Sequence, residues 1–293
     1  MSEGPEVRRK AEKLRELLVG EPLTEVAFVF DRLKAFEPEL TGRRVTAVDT
    51  FGKAYVVRLE GGLNLYVHPK MFGHWILRVR PGMPKTDRAL RIALKNRKGA
   101  AYLYSTNDMA VLTDEEVARH KYLTQLGPDI LDPEVTEAQV LARYQDPRFA
   151  PKRLTTLLLD QGFLAGIGNY MRSEILFEAR LYPLRRACDL SPDELARLAQ
   201  ATVAVSRRAF EARGMTVTPA IVAEGKRLKL KPWDYRHWVF KREAKPCYAC
   251  GAAIERHETE GRRYFMCPVC QPAEKLSITL AEPLRTRASG PSV

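Results

Sequence analysis

The sequence predicts an α+β, multi-domain chain: an N-terminal antiparallel β-sandwich headed by a helix, then a helical domain that ends in a four-cysteine finger. Three observations predict it. Short runs rich in Val, Thr, Tyr and Phe crowd the stretch from Leu23 to Leu112, helical periodicity takes over after Pro133, and four of the five cysteines lie between Cys247 and Cys270. A chain of 293 residues is long enough to bury more than one core.

The opening helix is signalled by Val7, Ala11, Leu14 and Leu18 at helical spacing, with Pro5 suited to the first turn and Gly20 to the end. It starts so close to the terminus that the terminus is held rather than left to fray. Strand-like runs follow at 24–30, 44–50, 54–59 and 63–68, with Glu60-Gly61-Gly62 as a hairpin turn between the last two. Runs at 89–94 and 101–104 flank Asn96-Arg97-Lys98-Gly99. Many short strands with regular turns suggest a sandwich. The composition changes at Gly127-Pro128-Asp129 and Asp132-Pro133, and helical patterns then occupy 135–144, 154–161, 170–179 and 192–213. The expected division is 2–126 for the sandwich, 127–134 for a linker, 135–243 for the helical domain, 244–271 for the finger and 272–293 for a mobile tail. The basic, aromatic segment from Lys226 to Trp238 either forms a recognition loop or packs beside the finger.

A formal net charge of +12 and a pI near 9.5 point to a polyanionic partner, either nucleic acid or an anionic membrane surface. No apolar stretch approaches the roughly 20 residues that span a bilayer. Charges occupy the start of the chain where a signal peptide needs an apolar core. The expectation is a cytoplasmic protein with reduced thiols, associated with the nucleoid in a bacterium.

Cys247, Cys250, Cys267 and Cys270 form two C-x2-C knuckles whose separation leaves room for a β-hairpin. Four thiolates at this spacing converge on one structural Zn²⁺ and leave no open position for catalysis; a redox pair of motifs and adventitious disulfides are the competing readings. His257 lies within the hairpin without being needed as a ligand, and lone Cys188 reads as inert. Arg262 and Arg263 are candidates for phosphate contact, or for a solvated basic face.

Between two helical runs lies Gly162-Phe-Leu-Ala-Gly-Ile-Gly168, followed by Asn169. Asn169 suits the capping position of the next helix. A helix N-terminus after such a loop is an anion site, and with this net charge a DNA phosphate is the expected anion.

Together these residues resemble the formamidopyrimidine-DNA glycosylase/endonuclease VIII family, from the first residues to Gln271. The motifs are Glu3-Gly4-Pro5-Glu6 at the terminus, Gly52-Lys53 on a strand turn, Asp160-Gln-Gly-Phe-Leu-Ala-Gly-Ile-Gly-Asn169 as a helix-two-turn-helix, and the finger. Lys70-Met71-Phe72 falls where the endonuclease VIII branch carries a contiguous wedge, and Tyr104-Ser-Thr-Asn-Asp-Met109 lacks the Pro-Arg-Arg-Phe-Gly run of the other branch. For Met71 and Phe72, sandwich core is the plainer alternative.

The resemblance implies a monomeric repair enzyme that grips damaged double-stranded DNA between its domains, flips a nucleotide outward, and works as a bifunctional glycosylase and AP lyase on oxidised pyrimidines such as thymine glycol and dihydrouracil. The nucleophile is then the α-amino group of Ser2 after loss of Met1. Such an amine has an ordinary pKa of about 7.7–8.0 against about 10.4 for lysine, so much of it is neutral near pH 7. The resemblance makes Glu3 the acid–base group at the deoxyribose ring oxygen and Lys53 a phosphate holder that aids proton transfer. Asn169 and Arg262 bind the flanking phosphates, and Lys70, Met71 and Phe72 fill the vacated stack. Ser2 departs from the family's terminal Pro, offering a primary amine instead of a secondary one. The rival reading is a non-catalytic lesion- or abasic-site-binding protein that keeps the scaffold, with Ser2 as its mark.

Overall fold

The structure, a computed structural model, describes residues 2–80 and 82–273. Helix α1 (Gly4–Leu18) leads into strand β1 (Glu25–Phe28), the single-turn helices α2 (Asp31–Lys34) and α3 (Glu37–Leu40), and seven further strands. These are β2 (Val45–Phe51), β3 (Ala54–Leu59), β4 (Leu63–His68), β5 (His74–Arg78), β6 (Leu90–Asn96), β7 (Gly99–Tyr104) and β8 (Asp108–Thr113). They form two antiparallel four-stranded sheets, ordered β2-β3-β4-β8 and β1-β6-β7-β5. Between the sheets lies an apolar core that includes Val48, Val57, Leu65, Trp75, Leu94 and Leu103, and α1 adds Val7, Ala11, Leu14 and Leu18 to it. That is the stripe its periodicity predicts.

The turns follow from their residues. Gly61 and Gly62 both take positive φ in the β3–β4 hairpin. The Asn96 side chain accepts the N–H groups of Lys98 and Gly99 (2.9 and 3.0 Å), closing the β6–β7 turn. Strands β5 and β8 were not expected from the sequence. Each is the last strand of its sheet, paired on one side only; β5 buries Trp75 alone, and β8 buries Met109 and Val111.

Beyond β8 come α4 (Asp114–Arg119), α5 (Lys121–Thr124), α6 (Glu137–Gln145), α7 (Leu154–Leu157), α8 (Asn169–Glu178), α9 (Pro192–Glu211), α10 (Pro219–Arg227) and α11 (Pro232–Tyr235). The helix expected over 154–161 is one turn, α7; the chain then bends so that Asp160 Oδ1 accepts the Gly162 N–H at 2.9 Å. The longest helix, α9, begins at the Ser191 cap with Pro192 in its first turn and buries Leu195, Leu198, Ala201 and Val205. A second core joins α6, α7, α8 and α9 to Val239, Phe240 and the finger. Among the described residues no helix is long and apolar enough to cross a membrane.

The finger is a hairpin of β9 (Glu255–Thr259) and β10 (Arg262–Met266), turned by Glu260 and Gly261 at positive φ. His257 stacks on Tyr264 and pairs with Glu255 (2.8 Å), away from the cysteines. The basic segment divides. Leu228, Leu230 and Trp233 are exposed, whereas Trp238 stacks on Phe177 and donates to the Thr216 carbonyl at 3.1 Å. Of the tail expected to be mobile, residues 274–293 lie outside the described residues.

Helix α1 joins the two halves. Its Arg8 donates to the Leu131 carbonyl (2.7 Å), and its Arg9 donates to the carbonyls of Ala209 and Phe210 at the end of α9 (2.7 and 2.9 Å). Closer to the terminus the backbones touch. Gly4 N–H donates to the Gly166 carbonyl at 2.8 Å, and a β-carbon on Gly4 would lie 3.0 Å from Gly166 Cα. Asp129 accepts the N–H of Gly52 at the β2–β3 turn (3.0 Å) and that of Leu131 (2.9 Å). The terminus of α1, the Gly52-Lys53 turn and the glycine loop before α8 are thus fixed against one another.

Candidate active site

A cavity of about 320 Å³ lies where these elements meet, lined by Ser2, Glu3, Lys53, His68, Lys70, Met71, Leu159, Gly168, Asn169 and Arg262. The terminus of α1 supplies Ser2 and Glu3, the β2–β3 turn Lys53, and the end of β4 and the loop after it His68, Lys70 and Met71. The start of α8 supplies Asn169, and the first residue of β10 supplies Arg262. The cavity therefore gathers the residues that the sequence singled out for catalysis or DNA contact except Phe72, which lines the adjoining open face with Met71, and Arg263, which lines a separate recess.

Glu3 is the most constrained group. Its side chain is buried, and its two oxygens accept the N–H groups of Tyr170 (2.7 Å) and Met171 (3.2 Å) at the start of α8. Burial pushes its carboxyl up to about 7, with the Glu6 charge adding to the rise; Lys53 and the two N–H groups pull the other way. Glu6 holds the local backbone by accepting the Glu3 N–H at 3.2 Å. Burial lowers the pKa of the Lys53 ammonium, Glu3 opposes that shift, and Arg262 adds to it. Lys53 is further fixed by its backbone N–H, which donates to the Tyr122 hydroxyl at 3.3 Å.

Two sequence expectations are corrected here. Gly168, not Asn169, occupies the capping position of α8, and Asn169 is its first helical residue. The anion at this helix N-terminus is the Glu3 carboxylate rather than a DNA phosphate, because α1 delivers that carboxylate onto the free N–H groups of the first turn. The Asn169 side chain instead accepts from Arg172 Nη2 at 2.6 Å.

Met71 and Phe72 are not sandwich core: they are 51% and 66% exposed on the loop between β4 and β5. That loop turns tightly at Gly73, whose N–H donates to the Pro69 carbonyl (2.7 Å) and where a β-carbon would lie 2.4 Å from the same oxygen. Lys70, at positive φ, pairs with Asp108 at 2.7 Å. Arg262 and Arg263 alternate along β10. Arg262 faces the cavity, whereas Arg263 approaches Glu258 (3.8 Å) and lines a second recess with Lys241 and Arg256.

His68 was missed by the sequence reading. It is buried, packs edge-on against Tyr122, and its Nδ1 accepts the Lys70 N–H at 2.9 Å, so the ring proton sits on Nε2. Burial first, and then the Lys70 charge, push its pKa down to about 4, leaving a neutral donor at the cavity wall. Its signal in the sequence was only its place at the end of a strand two residues before Lys70.

In the finger, the sulfur atoms of Cys247, Cys250, Cys267 and Cys270 all lie within 4.8 Å of one another, with Cys247–Cys270 at 3.9 Å and Cys250–Cys267 at 3.4 Å. A tetrahedral thiolate site with metal–sulfur bonds near 2.3 Å needs separations of about 3.8 Å, so the four fit one metal ion. Ala249 N–H reaches the Cys247 sulfur and Cys270 N–H the Cys267 sulfur, both at 3.4 Å, orienting the ligands. Cys188 lies exposed and apart from them.

Comparison with known proteins agrees with this architecture. Residues 1–106 match the formamidopyrimidine-DNA glycosylase N-terminal domain, and residues 126–220 match the formamidopyrimidine-DNA glycosylase H2TH domain. Endonuclease 8 of Klebsiella pneumoniae is 40% identical over 271 residues, covering 92% of this chain and 100% of the relative. Endonuclease 8 of an Enterobacter species is also 40% identical, with the same coverage. Among solved structures, Lactococcus lactis Fpg in complex with abasic-site DNA superposes with a TM-score of 0.77 at 21% identity, covering 93% of this chain and all of the other. MutM (Fpg) of Thermus thermophilus superposes with a TM-score of 0.74 at 31% identity, covering 92% of this chain and 98% of the other. The chain belongs to the formamidopyrimidine-DNA glycosylase/endonuclease 8 family, on its endonuclease 8 side, whose members are DNA glycosylases and AP lyases.

Proposed function

We propose that this chain acts as a monomer on damaged double-stranded DNA, excising oxidised pyrimidines through its N-terminal amine and then cleaving the strand. The observation that carries the reading is the single cavity holding Ser2, the buried Glu3, Lys53, Asn169 and Arg262.

The chemistry follows from those groups. With Met1 removed, the neutral amine of Ser2 attacks C1′ of an extruded nucleotide; the N-glycosidic bond breaks and the base leaves with a proton. Ring opening delivers a proton to the sugar ring oxygen and leaves a Schiff base on the Ser2 nitrogen. Loss of a C2′ proton into that electron sink expels the 3′ phosphate, which completes β-elimination. Glu3 supplies the proton at the ring oxygen. With its pKa near 7, acid and base forms are both populated at neutral pH, as proton exchange in both directions requires. Lys53, Arg262, the Asn169 amide and His68 Nε2 offer donors to the phosphates on either side of the extruded sugar. Met71 and Phe72, exposed beside the cavity, fill the space the nucleotide leaves.

The four cysteines hold Zn²⁺, which fixes the β9–β10 hairpin and so the position of Arg262. The non-catalytic alternative accounts for the Glu3 contacts with the start of α8 but not for a carboxyl pushed up to about 7 beside Lys53 and Ser2 in the cavity. The preference for pyrimidines rests on the endonuclease 8 likeness. Incubating the protein with a duplex carrying thymine glycol tests the proposal: base release and strand nicking are expected, and faster than on the same duplex carrying 8-oxoguanine. Binding without either product contradicts it.

A further inference from the structure

Arg172 is buried in α8, and among the described residues none of its guanidinium's hydrogen-bond or ion-pair partners is a carboxylate. Its three acceptors are neutral. Nη1 donates to the Thr155 carbonyl (3.0 Å), and Nη2 donates to both the Arg263 carbonyl (2.8 Å) and Asn169 Oδ1 (2.6 Å). The face of Tyr264 lies 5.7 Å from it. Burial pushes its pKa down to about 10, which still leaves it charged at neutral pH. A buried charge with no carboxylate in contact is a costly placement; the Glu3 charge nearby offsets part of the desolvation, and two carbonyls and an amide do not repay the rest.

Its geometry supplies the reason for keeping it. A guanidinium only donates, so the Asn169 amide must turn its oxygen toward Arg172. The Nδ2–H2 group is then the part of Asn169 left for the cavity. The carbonyls of Thr155 and Arg263 hold the guanidinium plane from α7 and β10, so the amide is oriented by a fork that three elements keep rigid.

We infer that Arg172 is a positioning residue for DNA binding: it touches no phosphate itself but presets the Asn169 amide as a hydrogen-bond donor to one. The inference rests on the reading of Asn169 as a phosphate contact.

A double-mutant cycle tests it, with affinity measured on a duplex carrying a tetrahydrofuran abasic analogue. Asn169→Ala should weaken binding about tenfold, the scale of one charge-assisted hydrogen bond, and Arg172→Met should do about the same. Arg172→Met added to Asn169→Ala should cost less than about twofold more, because the oriented group is already gone. The slope of affinity against salt should stay unchanged in Arg172→Met, since no phosphate contact by a cation is lost. Bound zinc and the melting temperature report on folding. Arg172→Lys, which keeps the charge but not the fork, gives the same readout if the methionine variant does not fold. Multiplicative losses from the two substitutions overturn the inference while leaving Asn169 as a phosphate contact. An Asn169→Ala variant with undiminished affinity overturns both.

Discussion

The carboxylate of Glu3 occupies the space that a side chain at Gly168 would need: a methyl group there would lie 2.4 Å from Glu3 Cδ and 2.8 Å from Oε1. Gly168 has an ordinary extended backbone, with φ −132° and ψ −156°, so glycine is required for room rather than for conformation. Through this contact, residues far apart in the chain set the position of one carboxyl group in the cavity.

Gly168→Ala is therefore expected to displace Glu3 without breaking the fold. Misplacement of a reacting group by about 1 Å can cost on the order of 100-fold in rate. Strand incision should fall by about that factor, with abasic-duplex affinity reduced far less. Single-turnover incision and equilibrium binding, measured side by side, check it; equal loss in both is the contrary result.

Glu3→Gln separates catalysis from stability. The carboxyl is pushed up to about 7 in the fold, so ionising it costs the folded state. A raised folded pKa means that its stability contribution is complete below the unfolded value and is lost as pH rises toward 7. The glutamine variant, which loses one of the two acceptors for the Tyr170 and Met171 N–H groups, should melt below wild type near pH 4, and the gap should shrink at pH 8, where only wild type carries the cost of ionisation. Its incision rate should fall about 100- to 10,000-fold, because the amide cannot exchange the proton. Melting curves and rates at both pH values check the two halves independently.

Met71→Ala and Phe72→Ala bear on nucleotide extrusion. Both side chains are largely exposed, so each change should alter stability by no more than about 0.5 kcal/mol. Excision of a lesion in a well-paired duplex should slow markedly, whereas cleavage at a preformed abasic site, where less stacking is broken, should slow less. Rates on the two substrates, with denaturant melts of each variant, make the comparison.

How much of this was legible in the sequence depended on distance along the chain. The cysteine spacing carried the four-sulfur cluster because two short knuckles dictate convergence. Val7, Ala11, Leu14 and Leu18 carried α1 because its buried stripe faces one core. Strands β3 and β4 were readable to the residue, since both lie inside their sheet and bury nearly every side chain. Edge strands β5 and β8 were not, and α7 stopped after one turn where Asp160 captured the Gly162 N–H. At the site, the family resemblance pointed to Glu3, Lys53 and Arg262, but nothing local pointed to the Glu3 contact with the start of α8, made across 167 positions. That contact took the helix terminus that local reasoning had given to a phosphate. His68 carried no local mark because its tautomer depends on a turn that only the folded loop makes.

The central claim is that a terminal amine on Ser2 performs the attack. Borohydride reduction during incubation with thymine glycol or abasic duplex, followed by intact-mass and peptide analysis, tests it most directly. The account predicts a chain lacking Met1, covalently joined to DNA through the nitrogen of Ser2. A cross-link mapped to a lysine such as Lys53, or tight lesion binding with Met1 fully removed and no cross-link, would contradict it.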